Sequence, residues 1–64
     1  MTTPVDPRIE RTRAVVLQTA VEIVAERGFA GASIDAIAQR SGVARSTIYR
    51  HWPQKMDLLQ EAVG

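Results

Sequence analysis

Residues 37–52, with the sequence IAQRSGVARSTIYRHW, decide the fold. They contain two short segments of helical character on either side of Gly42, and glycine accepts the left-handed backbone that a sharp reversal requires. Two helices joined by such a short glycine turn form a helix-turn-helix. The steep crossing of the two helices needs a small residue, and Ala38 is in that position, while Val43 and Ile48 are spaced to point inward. The segment therefore predicts a helix-turn-helix.

One further helix is predicted on the N-terminal side of the helix-turn-helix, whose own first helix is the second of the chain. Gly28 is a natural residue to follow the end of a helix, and Phe29 just beyond it could fold back onto that end. Ser33 is a good N-cap for the second helix, and Asp35 follows in its first turn, where the helix dipole favours an anion. A first helix is predicted over 11–27, because apolar residues recur at the spacing of one buried helical face, namely Leu17, Ala20, Val21 and Val24, with Val16 and Ile23 beside that face.

On the C-terminal side of the turn, a third helix is predicted over 44–51. Pro53 ends it, because proline disfavours helical backbone in the residue before it, and Trp52 should join the core between the third and fourth helices. A fourth helix should begin near Gln54 or Lys55, and glutamine caps poorly, so we expect this start to fray. No stop signal follows it. The prediction is an all-α, homeodomain-like three-helix domain with the start of a fourth helix, whose apolar side holds Leu58, Leu59 and Ala62.

Composition limits the classes of protein that the chain can belong to. Its 64 residues allow one small domain, without cysteine for disulfides and with a single histidine, which cannot form a multi-histidine metal site. The longest apolar run is far too short for a membrane span, and the N-terminus lacks a secretory signal. We expect no cofactor and no enzymatic activity, since there is no catalytic constellation and little room for a walled pocket. Residues 1–10 are predicted to form a flexible arm, and 11–64 the helix-turn-helix domain.

The distribution of charge is more informative than its sum. The formal net charge is only +1. Residues 40–55, however, contain no acidic residue and four basic ones, Arg40, Arg45, Arg50 and Lys55. Positive charge is therefore concentrated on the helix-turn-helix and the residues that follow it, where it can attract a polyanion.

The exposed face of the third helix suits the major groove of DNA. When Ile48 points inward, the 100° step per residue places Ser46 and Arg50 on the opposite side. Arg45, Thr47 and Tyr49 are then at the flanks, and His51 is on the inner side. Arginine can donate two hydrogen bonds to guanine, and hydroxyl groups can reach phosphates or base edges. The same face could instead be plain solvated surface, or belong to a small helical module that binds an acidic protein partner.

The sequence resembles the N-terminal domain of the TetR (tetracycline-repressor) family of regulators. The resemblance spans residues 12 to 63, and its most specific part is the stretch from Thr47 to Lys55. The residues that carry it are Val16-Leu17, Ala20, Glu26-Arg27-Gly28-Phe29, Ser33-Ile34, Ile37-Ala38, Ser41-Gly42-Val43, Ser46-Thr47-Ile48-Tyr49-Arg50-His51-Trp52-Pro53, Lys55 and Leu58-Leu59.

The resemblance implies a bacterial transcription factor in the cytoplasm at the nucleoid, usually a repressor. It implies a homodimer whose C-terminal domain, absent from these 64 residues, binds a small-molecule effector and releases a double-stranded DNA operator, with no membrane partner. At the positions that match the family, the resemblance implies that Arg45, Ser46 and Arg50 contact base edges. Phosphate contacts fall to Ser33, Thr47, Tyr49, His51 and Lys55.

Several of these positions have an alternative structural interpretation. Ser33 could be only a helix cap, His51 could be structural, and Tyr49 could cover the end of helix 1. Asp35 replaces a basic or neutral residue found in many relatives, so no phosphate contact is expected there. The arginines near the N-terminus either reach the adjacent minor groove or serve only solubility, and these are Arg8, Arg11 and Arg13.

Overall fold

The protein folds into four α-helices without a β-strand in the part of the chain that the structure describes. The computed structural model describes residues 7–64, with side chains from Glu10 onward. The helices are α1 (Pro7–Gly31), α2 (Ile34–Ser41), α3 (Arg45–His51) and α4 (Lys55–Val63). The predicted all-α architecture is confirmed. Within these residues, no helix combines the length and the apolar character needed to cross a membrane.

Helix α1 begins earlier than the sequence pattern predicts. It starts at Pro7 rather than near residue 11. Proline suits the first turn of a helix, because its fixed φ is already helical and the N–H that it lacks would have no partner there. Glu10 in the same turn favours the start through the helix dipole. Of the predicted arm, residues 7–10 therefore belong to α1, while residues 1–6 lie outside the described residues.

The end of α1 is broken at Gly28, as predicted, but the chain does not fold back. Gly28 has φ 74° and ψ 176°, a conformation outside the helix, and one further helical turn follows as far as Gly31. A left-handed cap has a much smaller ψ, such as the 10° of Gly42 at the end of α2. The extended ψ instead leads the chain away from the helix end. Phe29 is 47% exposed, so it is not buried against the end of the helix.

The core lies where α1 packs against α2 and α4, and α2 packs against α3. The centre of the buried face of α1 is Ala20, whereas Val21 is 39% exposed, so its predicted burial is wrong. Because α1 has partners on two sides, its buried arc is centred between them and excludes Val21. Trp52 is 3% exposed and in the core, as predicted. The other buried apolar residues are Val16, Ile23, Ala32, Ile34, Ile37, Ile48, Leu58 and Leu59.

The turn between α2 and α3 has the geometry that the sequence predicts. Gly42 is left-handed, with φ 77° and ψ 10°, and its N–H donates to the Ala38 carbonyl over 3.0 Å. Ser41 tightens the same turn, since its Oγ accepts from the Val43 N–H at 3.2 Å and donates to the Ala38 carbonyl at 3.4 Å. Val43 packs against the core. These contacts fix the direction in which α3 leaves the turn.

Ion pairs at the surface connect α1 to its two neighbouring helices. Arg40 of α2 makes two parallel hydrogen bonds to Glu26 of α1, of 2.7 and 2.8 Å. These bonds lower the pKa of Glu26 and raise that of Arg40. Arg13 of α1 pairs with Glu61 of α4. Trp52, which directly follows α3, donates from Nε1 to the other oxygen of Glu61 over 3.2 Å. Ion pairs thereby connect α1 to both α2 and α4.

The start of α4 is better capped than the sequence predicts. The carboxylate of Asp57 accepts a hydrogen bond from the Gln54 N–H at 3.2 Å. The Asp57 N–H in turn donates to the Gln54 carbonyl at 3.0 Å. The expectation of fraying considered only the poor capping ability of glutamine. The reciprocal half of a capping box, in which the acidic residue at the third position bonds back, does not depend on the type of residue at the cap.

Candidate nucleic-acid interface

Helix α3 has one buried side and one exposed side. Ile48 is completely buried, and it anchors the helix to the core. Ser46 and Arg50, predicted to point outward, are both exposed. Arg45 and Tyr49 are exposed as well, the tyrosine at 47%. The three predicted base-contact residues therefore lie together on the solvent side of one rigid helix.

The residues predicted to hold phosphates lie beside this face rather than at its centre. Thr47 and His51 of α3 are half-buried. The imidazole of His51 lies 5.5 Å from the Trp52 ring, tilted by 55°, so it contacts the core side chain that ends α3. Lys55 is half-buried at the first position of α4. Thr47 and His51 are close to the core side of α3, whereas the predicted base-contact residues are exposed.

Ser33 serves as a helix cap. Its Oγ accepts a hydrogen bond from the Ala36 N–H at 3.1 Å, which satisfies one of the free donors at the start of α2. The residue is exposed. Because a hydroxyl group both accepts and donates, its proton remains available to a phosphate oxygen. The capping role and the predicted phosphate contact are therefore compatible.

One contact of the α3 face does not follow from the sequence pattern. Arg45 Nη1 lies 2.8 Å from Asp35 Oδ1 of α2. Both side chains remain well exposed, at 65% and 75% respectively. The two residues are ten positions apart and on different helices, so no local pattern pairs them. The acid at position 35 was the signal in the sequence, and the packing of α2 against α3 brings it to Arg45.

Ion pairs compensate part of the positive charge in residues 40–55. Of the four basic residues in 40–55, Arg40 is bound to Glu26 and Arg45 to Asp35. Within residues 10–64, neither Arg50 nor Lys55 has an ion-pair partner. The uncompensated positive charge of this segment is thus at the end of α3 and the start of α4, on the two sides of Trp52.

The N-terminal arginines fall into different environments. Arg13 is in α1, where it pairs with Glu61 and its guanidinium carbon lies 5.7 Å from the centre of the Trp52 ring. Arg13 therefore connects α1 to α4 and to Trp52, a structural role that the sequence did not predict. Arg11 is exposed on the same helix. The side chain of Arg8 lies outside the described residues.

Comparison with known proteins places the chain in a family. The family model described as "Bacterial regulatory proteins, tetR family" matches residues 16–62. The chain is 34% identical over 56 residues to the uncharacterized HTH-type transcriptional regulator YdeS of Bacillus subtilis, covering 88% of this chain and 28% of that protein. No solved structure gives a significant match.

Two further relatives are named for opposite effects on transcription, one as an activator and one as a repressor. The transcriptional activator FasR of Mycolicibacterium smegmatis is 40% identical over 52 residues, covering 81% of the chain and 23% of FasR. The transcriptional repressor LfrR of the same organism is 39% identical over 51 residues, covering 80% and 26%. The chain spans about a quarter of the length of these relatives. It belongs to the tetR family of bacterial regulatory proteins, as a DNA-binding helix-turn-helix domain.

Proposed function

We propose that the chain binds double-stranded DNA sequence-specifically, with α3 lying in the major groove. The observation that carries the proposal is the two-sided character of α3. Ile48 holds the helix to the core from beneath, while Arg45, Ser46 and Arg50 are exposed on the other side. The helix itself contains no acidic residue. A rigid helix with such a face fits the width of the major groove, where base edges are distinguishable.

The residues divide into those that select the sequence and those that hold the backbone. Arg45, Ser46 and Arg50 contact base edges. The flanking polar groups bind phosphates, which fixes the register of α3 but reads no sequence. These are Ser33, Thr47, Tyr49, His51 and Lys55.

The regulatory setting is proposed from the family. The protein acts by binding rather than catalysis, in the bacterial cytoplasm on the nucleoid. It works as a homodimer, formed through a C-terminal domain outside these 64 residues, and a small-molecule effector bound by that domain releases the operator. We propose repression, as in the relatives whose names state it. The relative FasR, by contrast, is named as a transcriptional activator, so a similar domain is part of an activator in another protein.

Selection of bound duplexes from a random pool tests the proposal. The wild-type chain should enrich a short common sequence, and binding to it should survive unrelated competitor DNA. Affinity should fall steeply with salt, because binding to phosphates releases counterions. A module that binds an acidic protein would enrich no sequence, and that result would refute the proposal.

Two substitutions of Arg50 separate base recognition from charge. Arg50→Ala should weaken binding to the selected duplex by about 1–3 kcal/mol and relax discrimination at one base pair. Arg50→Lys is the matched control, because it keeps the charge but loses the bidentate geometry. It should therefore lose discrimination while the salt dependence stays near that of the wild type. Unchanged discrimination in both variants would remove Arg50 from the base contacts.

A further inference from the structure

The ion pair between Asp35 and Arg45 lies in the surface that the proposed function assigns to DNA. Arg45 is the first residue of α3, and Asp35 is in the first turn of α2. Their 2.8 Å contact is well exposed to solvent, and exposed ion pairs of this kind add little to folding stability. An acid on a surface that meets phosphates also opposes binding. As an acid in the first turn of α2, Asp35 also interacts favourably with the helix dipole, but that interaction does not require its contact with Arg45.

We propose that Asp35 is a positioning residue for base recognition, acting through Arg45. The inference rests on the proposed function. The carboxylate of Asp35 accepts from Nη1 of Arg45 and thereby holds the guanidinium in one orientation. A guanidinium has five N–H donors in a rigid plane, so the bond to Asp35 leaves others free for an acceptor such as guanine O6 or N7.

The carboxylate also limits what else Arg45 can bind. A free arginine side chain samples many rotamers and pairs readily with phosphates, which carry no sequence information. Asp35 restricts those rotamers and repels phosphates from the same place. Its presence should lower the affinity for all DNA, but it should raise the ratio of specific to non-specific binding. Arg50, which has no ion-pair partner among residues 10–64, lacks this restriction.

Asp35→Asn tests the proposal, with Glu22→Gln as the matched control. Glu22 is an exposed acid on α1 whose carboxylate contacts Gln18 at 3.4 Å, so its replacement changes the net charge equally without touching α3. The probes are a duplex selected by the wild-type chain, the same duplex with each base pair replaced in turn, and an unrelated duplex of equal length.

The expected result has two parts. Asp35→Asn should reduce discrimination at one base pair by about two- to fivefold, the range expected for loss of an exposed ion pair. It should also bind the unrelated duplex more tightly, with a salt dependence steeper by about one unit, because Arg45 is then free to contact a phosphate. Glu22→Gln should leave the discrimination unchanged.

A double variant shows whether Asp35 acts through Arg45. If it does, adding Asp35→Asn to Arg45→Ala should cause no further loss of discrimination. The proposal is overturned if Asp35→Asn strengthens binding to all duplexes by the same factor, or if its melting temperature falls markedly, which would assign Asp35 a structural role. If Arg45→Ala and Arg50→Ala both leave discrimination unchanged, the proposed function itself fails, and the inference with it.

Discussion

Replacement of Gly42 by alanine measures the cost of the backbone conformation on which the helix-turn-helix depends. A Cβ added at Gly42 meets no atom within 4 Å, so steric overlap contributes nothing. The left-handed φ of 77° remains, and it costs an L-residue about 1–2 kcal/mol. Alanine also restricts the unfolded chain, which offsets about 0.4–1 kcal/mol of that cost. The net loss of stability should be about 1 kcal/mol, or about 4–8 °C in Tm for a domain of this size.

Asparagine and a second glycine provide the controls for this prediction. Gly42→Asn should recover part of the loss, because asparagine tolerates the left-handed region. Gly28 also has a positive φ, and a Cβ there would likewise meet no atom within 4 Å, but its ψ of 176° belongs to a region that only glycine adopts readily. Asparagine should therefore give no recovery at Gly28. Thermal unfolding, monitored by circular dichroism, gives the Tm of the alanine and asparagine variants at both positions. A Tm of Gly42→Ala equal to that of the wild type, or equal recovery by asparagine at both positions, would refute the reasoning.

Three further predictions concern the core, the ion pairs and the phosphate contacts. Ile48→Ala should lower the free energy of unfolding by about 2–5 kcal/mol, a large share of the total of about 3–10 kcal/mol expected for a chain of this length. Replacement of the exposed Ser46 by alanine should change it by less than about 0.5 kcal/mol. Chemical denaturation of both variants measures the difference. Arg40 lowers the pKa of Glu26 in the folded state, so this stabilisation is present above the ordinary pKa of 4.5 and is lost as the pH falls through the lowered value. Acid titration of stability should therefore show a smaller loss for Glu26→Gln than for the wild type, and identical profiles would contradict it. Lys55→Ala should weaken binding to all duplexes alike and make the salt dependence shallower by about one unit, and a loss confined to one sequence would contradict a phosphate contact.

The parts of the fold that local chemistry controls could be predicted from the sequence. The left-handed turn at Gly42 follows from a property of glycine, and the burial of Ile48 follows from helical spacing. The end of α3 at His51 follows from the proline after Trp52. The outward direction of Ser46 and Arg50 follows from the same spacing. Whether these residues contact DNA, and in which roles, stays a prediction.

The features that the sequence did not predict depend on how the helices pack against one another. The exposure of Val21 reflects the two partners of α1, and the pairing of Asp35 with Arg45 reflects the packing of α2 against α3. Neither is encoded in the spacing of apolar residues along one segment. The capping of α4 by Asp57 was within reach of sequence reasoning, since it needs only an acid three residues after the cap.

The surroundings of Trp52 give this protein a built-in optical probe. It is the single tryptophan of the chain, and its indole is buried, hydrogen-bonded to Glu61 and covered on one face by Arg13. Its fluorescence should be blue-shifted in the folded state and move to longer wavelength when water enters. Since the three groups come from α1, α4 and the end of α3, one emission spectrum reports the junction of three helices without any attached dye.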